Sequence, residues 1–445
     1  MDFKAEIINA LERSTGFKDI QLEIPPDSKM GDFAFPCFTL AKSMKKAPQK
    51  ISEELAGKVV VKDITAKAEG PYLNFFVSRA AYAETVLTKV FKEKEYGKAE
   101  SKEKTIMLEF FHANTHKGVH IGHVRNICMG ISLARLLEFA GYKVIRVNYQ
   151  GDIGPHVAKC IWGYMHSEEK EPEKQRGVWL GKIYAKASQK AKDDPEVEEE
   201  IRRITKRLYD EDNELMPLWQ KTRQWCLDDF ETLYKEFDVK FDRLYFESEA
   251  EPVGKKEVHR MLEKGIAEES EGAIIINLEE YGLGVFLLLR SDGVGLYSTK
   301  DIGLAKIKQK EYKADKSLHL VGKEQELYFR QLFKTFELMG LEDFADKSAH
   351  LIYGLVMLPE GKMSSRDGTM VLYDELREKL MGLAYAEVRK RHSDWSEAEA
   401  KKAASQITFG ALKFSMVSKE MNRQIIFDWE KAVDFEGETG PYIQY

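Results

Sequence analysis

Two short stretches of this chain carry residue types whose spacing suits phosphate chemistry. The first, HANTHKGVHIGH, runs from His112 to His123. His120 and His123 are three residues apart, so on the first turn of a helix they share one face, and a helix start is where free backbone N–H groups and the positive dipole end receive an anion. Gly122 leaves room between them for a flat ring to approach the backbone, and Lys117 adds a cation on the same loop. A pair of histidines on a helix can also bind a metal, but the usual spacing is four with a third ligand, and no HExxH occurs. The second stretch, GKMSSRDG, spans Gly361 to Gly368; Lys362 and Arg366, with the hydroxyls of Ser364 and Ser365, suit a clamp over a triphosphate or a departing pyrophosphate. Taken singly, Lys117 reads equally as an exposed loop lysine and the second stretch as a plain surface turn.

The elements around the first stretch are those of a nucleotide-binding unit. Thr105 to Phe110 reads as a buried strand, Phe111 to Val119 as a loop, His120 to Ala140 as a helix stopped by Gly141, and Lys143 to Tyr149 as a second strand. Such a βαβ unit places the loop at the carboxyl end of a parallel strand, where nucleotides bind. Further strands are expected at Ala273 to Leu278, Val285 to Arg290, Ser317 to Gly322 and His350 to Val356. The fold class is therefore α/β, with a Rossmann-type parallel sheet over residues 101–372. A charged, helical insertion is expected at about 165–240, after which Phe241 to Tyr297 is expected to resume the sheet. Residues 1–100 read as a separate α+β domain with a strand at Pro71 to Val77 and a helix from Arg79 to Lys94; residues 373–445 read as a helical connector. In the first domain, Phe33 and Phe35 with Lys45 and Lys46 mix aromatics and cations, a pattern that can meet a nucleic-acid backbone or a stacked base. The same residues read as core phenylalanines beside a solvated lysine-rich face.

Composition sets the outer bounds. At roughly 100 to 200 residues per domain, 445 residues imply several units. Hydrophobic residues make up 43% and charged residues 32%, which describes a heavily solvated globular protein. With 68 basic and 74 acidic residues the formal charge is -6, so no global positive field draws in nucleic acid and any such contact is local. No stretch is long and apolar enough to span a membrane, and the acidic start Met1 to Glu6 is unlike a secretory signal; a cytoplasmic location is expected. The four cysteines, Cys37, Cys128, Cys160 and Cys226, lack CxxC spacing and are expected to be reduced and buried.

Together, HIGH at His120 to His123 and KMSSR from Lys362 resemble the HIGH and KMSKS signatures of class I aminoacyl-tRNA synthetases. Within that class the chain resembles the arginyl-tRNA synthetases, on ANTHKGVHIGH, LYSTKD at Leu296 to Asp301, GKEQEL at Gly322 to Leu327, the terminal GPYIQY, and GDFAFPCFTLAK and EGPYLNFF in the first domain. The resemblance implies an arginine–tRNA ligase whose substrates are L-arginine, ATP with Mg2+, and tRNA(Arg), working as a monomer. It places ATP on His120, Gly122, His123, Lys362, Ser364 and Ser365, with catalysis by His120, His123, Lys117 and Lys362. It places the guanidinium of arginine on Glu247, Asp301 and Tyr297, and the amino and carboxylate ends on Glu109, Asn114 and Gln325. The chemistry is coherent, because a planar cation with five donors needs carboxylates in fixed geometry. Phe33, Phe35, Lys45 and Lys46 would meet tRNA. Ser365 stands where the full KMSKS signature has its second lysine, and Lys117 is where the family supplies a substitute charge. The family continues beyond GPYIQY into a helical anticodon-binding domain, so the chain is expected to lack most of it. Two alternatives stay open: a shortened relative that forms arginyl-adenylate or transfers arginine without anticodon recognition, and a catalytically idle binding paralogue.

Overall fold

The structure, a computed structural model, describes residues 2–359 and 371–445. The chain divides into two compact units, Met1–Lys98 and Ala99–Tyr445.

In the first unit, α1 (Phe3–Thr15) starts where the Asp2 carboxylate accepts from the Ala5 N–H and ends at Gly16 in a left-handed conformation. It is followed by β1 (Phe33–Pro36), α2 (Phe38–Met44), α3 (Pro48–Lys58), β2 (Ile64–Glu69), β3 (Tyr72–Val77) and α4 (Arg79–Lys92). The strands form an antiparallel sheet in the order β1-β3-β2. Ile7 and Leu11 of α1, Ile51 and Leu55 of α3, and Leu73 and Phe75 of β3 close its core. Phe35 belongs to that core at 2% exposure, while Phe33 packs against it only partly buried. Phe38 is the residue of this aromatic group whose ring is half exposed. Lys45 and Lys46 are exposed, Lys46 paired with Glu54 at 2.7 Å.

The second unit opens with β4 (Thr105–Glu109), α5 (Ile121–Phe139) and β5 (Lys143–Gln150). The helical insertion follows as α6 (Pro155–Met165), α7 (Arg176–Asp193), α8 (Pro195–Tyr209) and α9 (Met216–Phe237). Then come β6 (Arg243–Phe246), α10 (Glu247–Glu263), β7 (Glu268–Ser270), β8 (Ala273–Asn277), β9 (Val285–Leu289), α11 (Tyr297–Glu311), β10 (Lys316–Gly322), α12 (Glu326–Leu338), α13 (Glu342–Lys347), β11 (Ser348–Tyr353) and β12 (Val356–Met357). The remainder is α14 (Tyr373–Arg391), α15 (Glu397–Val417), β13 (Ile425–Ile426), α16 (Trp429–Ala432) and α17 (Gly440–Gln444).

The main sheet is parallel, in the order β11-β10-β4-β5-β6. The chain moves outward from β4 in one direction and returns to β10 on its other side, so β4 and β10 flank the topological switch point where α/β proteins open a crevice at the strand carboxyl ends. The expectation that the sheet resumes over Phe241 to Tyr297 holds only for β6. Strands β7, β8 and β9 instead form a separate antiparallel sheet. Strand β7 is exposed throughout, whereas β8 and β9 have one solvated face, and their buried side, including Ile274, Ile276, Phe286 and Leu288, packs with Phe329, Leu332 and Phe336 of α12. The single strand expected from His350 to Val356 is broken after Tyr353, and β12 pairs with β13 rather than with the main sheet. Among the described residues no helix is long and apolar enough to cross a membrane. All four cysteines are buried and free.

Candidate active site

A cavity of about 580 Å³ opens at the carboxyl ends of the parallel strands. Nine residues singled out in the sequence line it: Glu109, Asn114, His120, Gly122, His123, Glu247, Tyr297, Asp301 and Gln325. They come from the end of β4, the loop after it, the start of α5, the first residue of α10, the first turn of α11 and the turn after β10.

The two histidines are fixed by the helix they begin. His120 is the N-cap of α5; its Nδ1 accepts from the Gly122 N–H at 3.2 Å, and Nδ1 of His123 accepts from the His120 N–H at 3.2 Å. This reciprocal arrangement satisfies two donors of the helix start, as a capping box does. The rings stack with centroids 3.7 Å apart. Burial holds both imidazoles neutral, lowering His120 to about 4 and His123 well below its ordinary value, with Lys117 adding to each shift. With Nδ1 used as an acceptor, the proton of each neutral ring sits on Nε2. The pair therefore presents N–H donors rather than positive charge. The space over Gly122, expected to receive an adenine, is taken by the His120 ring itself: a Cβ there would stand 3.0 Å from its Cε1 and Nδ1.

Lys117 departs from expectation. It does not line the cavity; its ammonium lies 5.4 Å from the centre of the Tyr184 ring on α7. Lys362, Ser364 and Ser365 lie outside the described residues. Val371 accepts from the Ile121 N–H at 3.1 Å and Tyr373 donates to Val119 at 2.8 Å, which holds the start of α14 against the histidine helix.

The acids divide by what already neutralises them. Glu109, at 4% exposure, is bound to the Lys308 ammonium and accepts from Nδ1 of His319 at 3.1 Å. Burial pushes its carboxyl up, but Lys308 and His319 outweigh that and hold it well below the usual carboxylate range. Glu247 accepts from Lys300 at 2.5 Å, both side chains being about 6% exposed. Among the described residues Asp301 forms no ion pair; it accepts from the Tyr328 hydroxyl at 2.5 Å, and burial, with Glu109 and Glu247 nearby, raises it to about 7 against the opposing pull of Lys308 and the Tyr328 bond. Helix α11 thus carries Lys300, Asp301 and Lys308, pairing two cations with the neighbouring acids and leaving its own acid without an ion pair among the described residues. Asn114 gives its carbonyl oxygen to the Gly151 N–H at 3.1 Å, which turns its NH2 to the role of donor. Tyr297 is 64% exposed at the mouth, and Gln325 is exposed at the rim. Residues outside the sequence-based set also line the cavity, notably His112, Tyr149, Lys308, His319 and Tyr328. The Tyr149 hydroxyl and Nε2 of His112 are buried without a partner.

The Glu109–Lys308 pair makes a direct prediction. Lys308→Met should lower the unfolding free energy by about 3 kcal/mol or more, because a buried carboxylate is left with a neutral imidazole alone. An unchanged thermal midpoint would mean that Glu109 is protonated in the folded protein rather than paired.

The chain matches the model described as tRNA synthetases class I (R), catalytic domain, over residues 85–429, and that described as arginyl tRNA synthetase N terminal domain over residues 1–77. The chain belongs to the arginyl-tRNA synthetase family. The arginine–tRNA ligase of Bdellovibrio bacteriovorus is 38% identical over 432 residues, covering 95% of this chain and 74% of that protein. That of Clostridium perfringens is 37% identical, with 95% and 75% covered. The solved Thermus thermophilus arginyl-tRNA synthetase superposes with a TM-score of 0.69 at 26% identity, covering all of this chain and 80% of that one. This family is a ligase of class I, so the parallel sheet and the acid-lined cavity stand in a synthetase catalytic domain. Within this synthetase, the lysines of α11 escaped the sequence reading because a lysine in a charged helix normally reads as solvated. The signal was their spacing: Lys308 follows Asp301 by seven residues, two turns along the same face.

Proposed function

We propose that this synthetase ligates L-arginine to tRNA(Arg). The observation that carries the reading is Asp301, a cavity carboxylate with no ion pair among the described residues, beside Glu247, whose own charge is held by Lys300. A guanidinium entering there completes the charge balance, with the Tyr297 ring at the mouth. Glu109, already committed to Lys308 and His319, sets the floor of the pocket and would be shared by the substrate's ammonium rather than awaiting it. Asn114 and Gln325 hold the carboxylate end.

In the first step a carboxylate oxygen of arginine bonds to the α-phosphorus of ATP while the bond to the bridging oxygen of pyrophosphate breaks. Arginyl-adenylate and pyrophosphate result. His120 and His123 donate Nε2–H bonds to the phosphoryl oxygens on which charge builds, and Lys362, Ser364 and Ser365 attend the leaving phosphates. Mg2+ is taken to enter bound to the ATP phosphates. In the second step a hydroxyl of the terminal adenosine of tRNA attacks the adenylate carbonyl, and AMP leaves. Lys45 and Lys46 of the first unit are assigned to tRNA backbone contacts, and Lys117 to a supporting charge beside the histidine pair. The reading includes a cytoplasmic, monomeric enzyme.

The test is arginine attachment to tRNA with release of AMP, alongside arginine-dependent ATP–pyrophosphate exchange with and without tRNA. Arginine should be used and citrulline, its neutral analogue, should not. Absence of arginine-dependent AMP formation with tRNA present would overturn the proposal.

A further inference from the structure

We propose that Asp152 is a positioning residue for arginine recognition, acting through Glu247, and that it makes α9 of the helical insertion part of the amino-acid site. This rests on the reading of Glu247 as a guanidinium-binding acid. Helix α10 begins at Glu247 and is preceded by Phe246, which has no side-chain acceptor for the unpaired N–H groups of the first turn. Asp152, in the turn after β5, supplies one from outside the helix. Its Oδ1 accepts from the Ser248 N–H at 2.9 Å and its Oδ2 from the Ser248 hydroxyl at 2.7 Å.

The same carboxylate is anchored on the insertion. Oδ2 accepts from Nε of Arg223 at 2.8 Å, and the Asp152 carbonyl accepts from the Trp219 indole at 2.7 Å. Trp219 and Arg223 are four residues apart on α9 and so share a face. The Arg223 guanidinium also covers the Phe246 ring, 4.0 Å from its centre. Asp152 is completely buried and does not line the cavity, so it cannot meet substrate itself. It fixes the residue next to Glu247 on one side, while Lys300 fixes the Glu247 carboxylate on the other. Gly151 closes the arrangement, since a Cβ there would stand 2.6 Å from Oδ1 of Asn114 and 3.2 Å from Oε1 of Glu247. A carboxylate that must meet a planar guanidinium tolerates little displacement, and the first turn of α10 is held in place from α9.

Asp152→Asn keeps the shape and one acceptor but removes the charge that holds Arg223 and Ser248 together. Its arginine KM should rise by roughly tenfold while the ATP KM stays within about twofold, and Arg223→Met should move arginine KM in the same direction. In a Glu247→Gln background the Asp152→Asn change should add no further rise, because the group it positions is already altered. Arginine and ATP KM rising together, or penalties that multiply in the double variant, would overturn the proposal and leave the Glu247 assignment standing. An unchanged arginine KM in Glu247→Gln alone would overturn the assignment and the proposal with it. Should Asp152→Asn not fold, Ser248→Ala, which removes only the hydroxyl bond, carries the same comparison.

Discussion

Asp301→Asn is expected to weaken arginine binding by about 100-fold, the size of effect seen when one member of a desolvated charge pair is removed. The substitution is nearly isosteric, and an asparagine oxygen can still accept from Tyr328, so the wall of the cavity should keep its form. What is lost is the charge. Glu247 cannot replace it, because Lys300 already sits on that carboxylate at 2.5 Å. Calorimetric titration with arginine would measure the loss, and a dissociation constant within about twofold of wild type would place the guanidinium elsewhere. The pH dependence gives a second reading. The Asp301 carboxyl is raised to about 7 in the free protein, by burial first and by the nearby Glu109 and Glu247. The ionised form binds the cation, so affinity should climb as pH rises toward that value and level off above it. Binding near pH 6.5 should release a proton. In Asp301→Asn the slope over this range should vanish.

Several residues proposed to meet the reactants were legible in the sequence because they sit in compact motifs with a local geometric consequence. HIGH places two rings on one helix turn, and Tyr297 and Asp301 are four apart at the start of α11, so their meeting in one cavity needed only the βαβ arrangement. Side chains whose importance depends on distant partners were not legible. Lys300 and Lys308 matter because α11 crosses Glu247 and Glu109, which lie far earlier in the chain. Asp152 matters because β5, α9 and α10 converge on it. The same limit explains the sheet. Strands β7 to β9 have strand composition, but only the antiparallel hairpin pairing shows that they form their own layer. Phe33 and Phe35 were attractive as stacking residues because aromatics beside lysines look the same in sequence whether they face solvent or a core; packing puts Phe35 in the core and leaves Phe33 partly buried. The direction in which a Gly122 side chain would point is occupied by the His120 ring, which the sequence alone did not reveal.

The neutral state of the two histidines leads to the remaining prediction. His123→Ala should lower kcat for adenylate formation by about 100-fold with arginine KM changed less than about threefold, the behaviour of a donor aimed at charge that develops in the transition state. Burial keeps His123 far below its ordinary value and His120 at about 4. Neither ring should titrate between pH 6 and 8, and the histidines should contribute no step to the rate profile in that range. The alternative is that His123 matters only for starting α5, where its Nδ1 accepts the His120 N–H. His123→Gln separates the two. A glutamine at the third helical position can restore that acceptor, as in a capping box, and should recover the thermal stability lost in the alanine variant. Its amide cannot at the same time occupy the place of the imidazole Nε2–H, so the rate should remain low. Recovery of kcat along with stability would reassign His123 to the helix start and leave the phosphoryl charge to His120 and the basic loop.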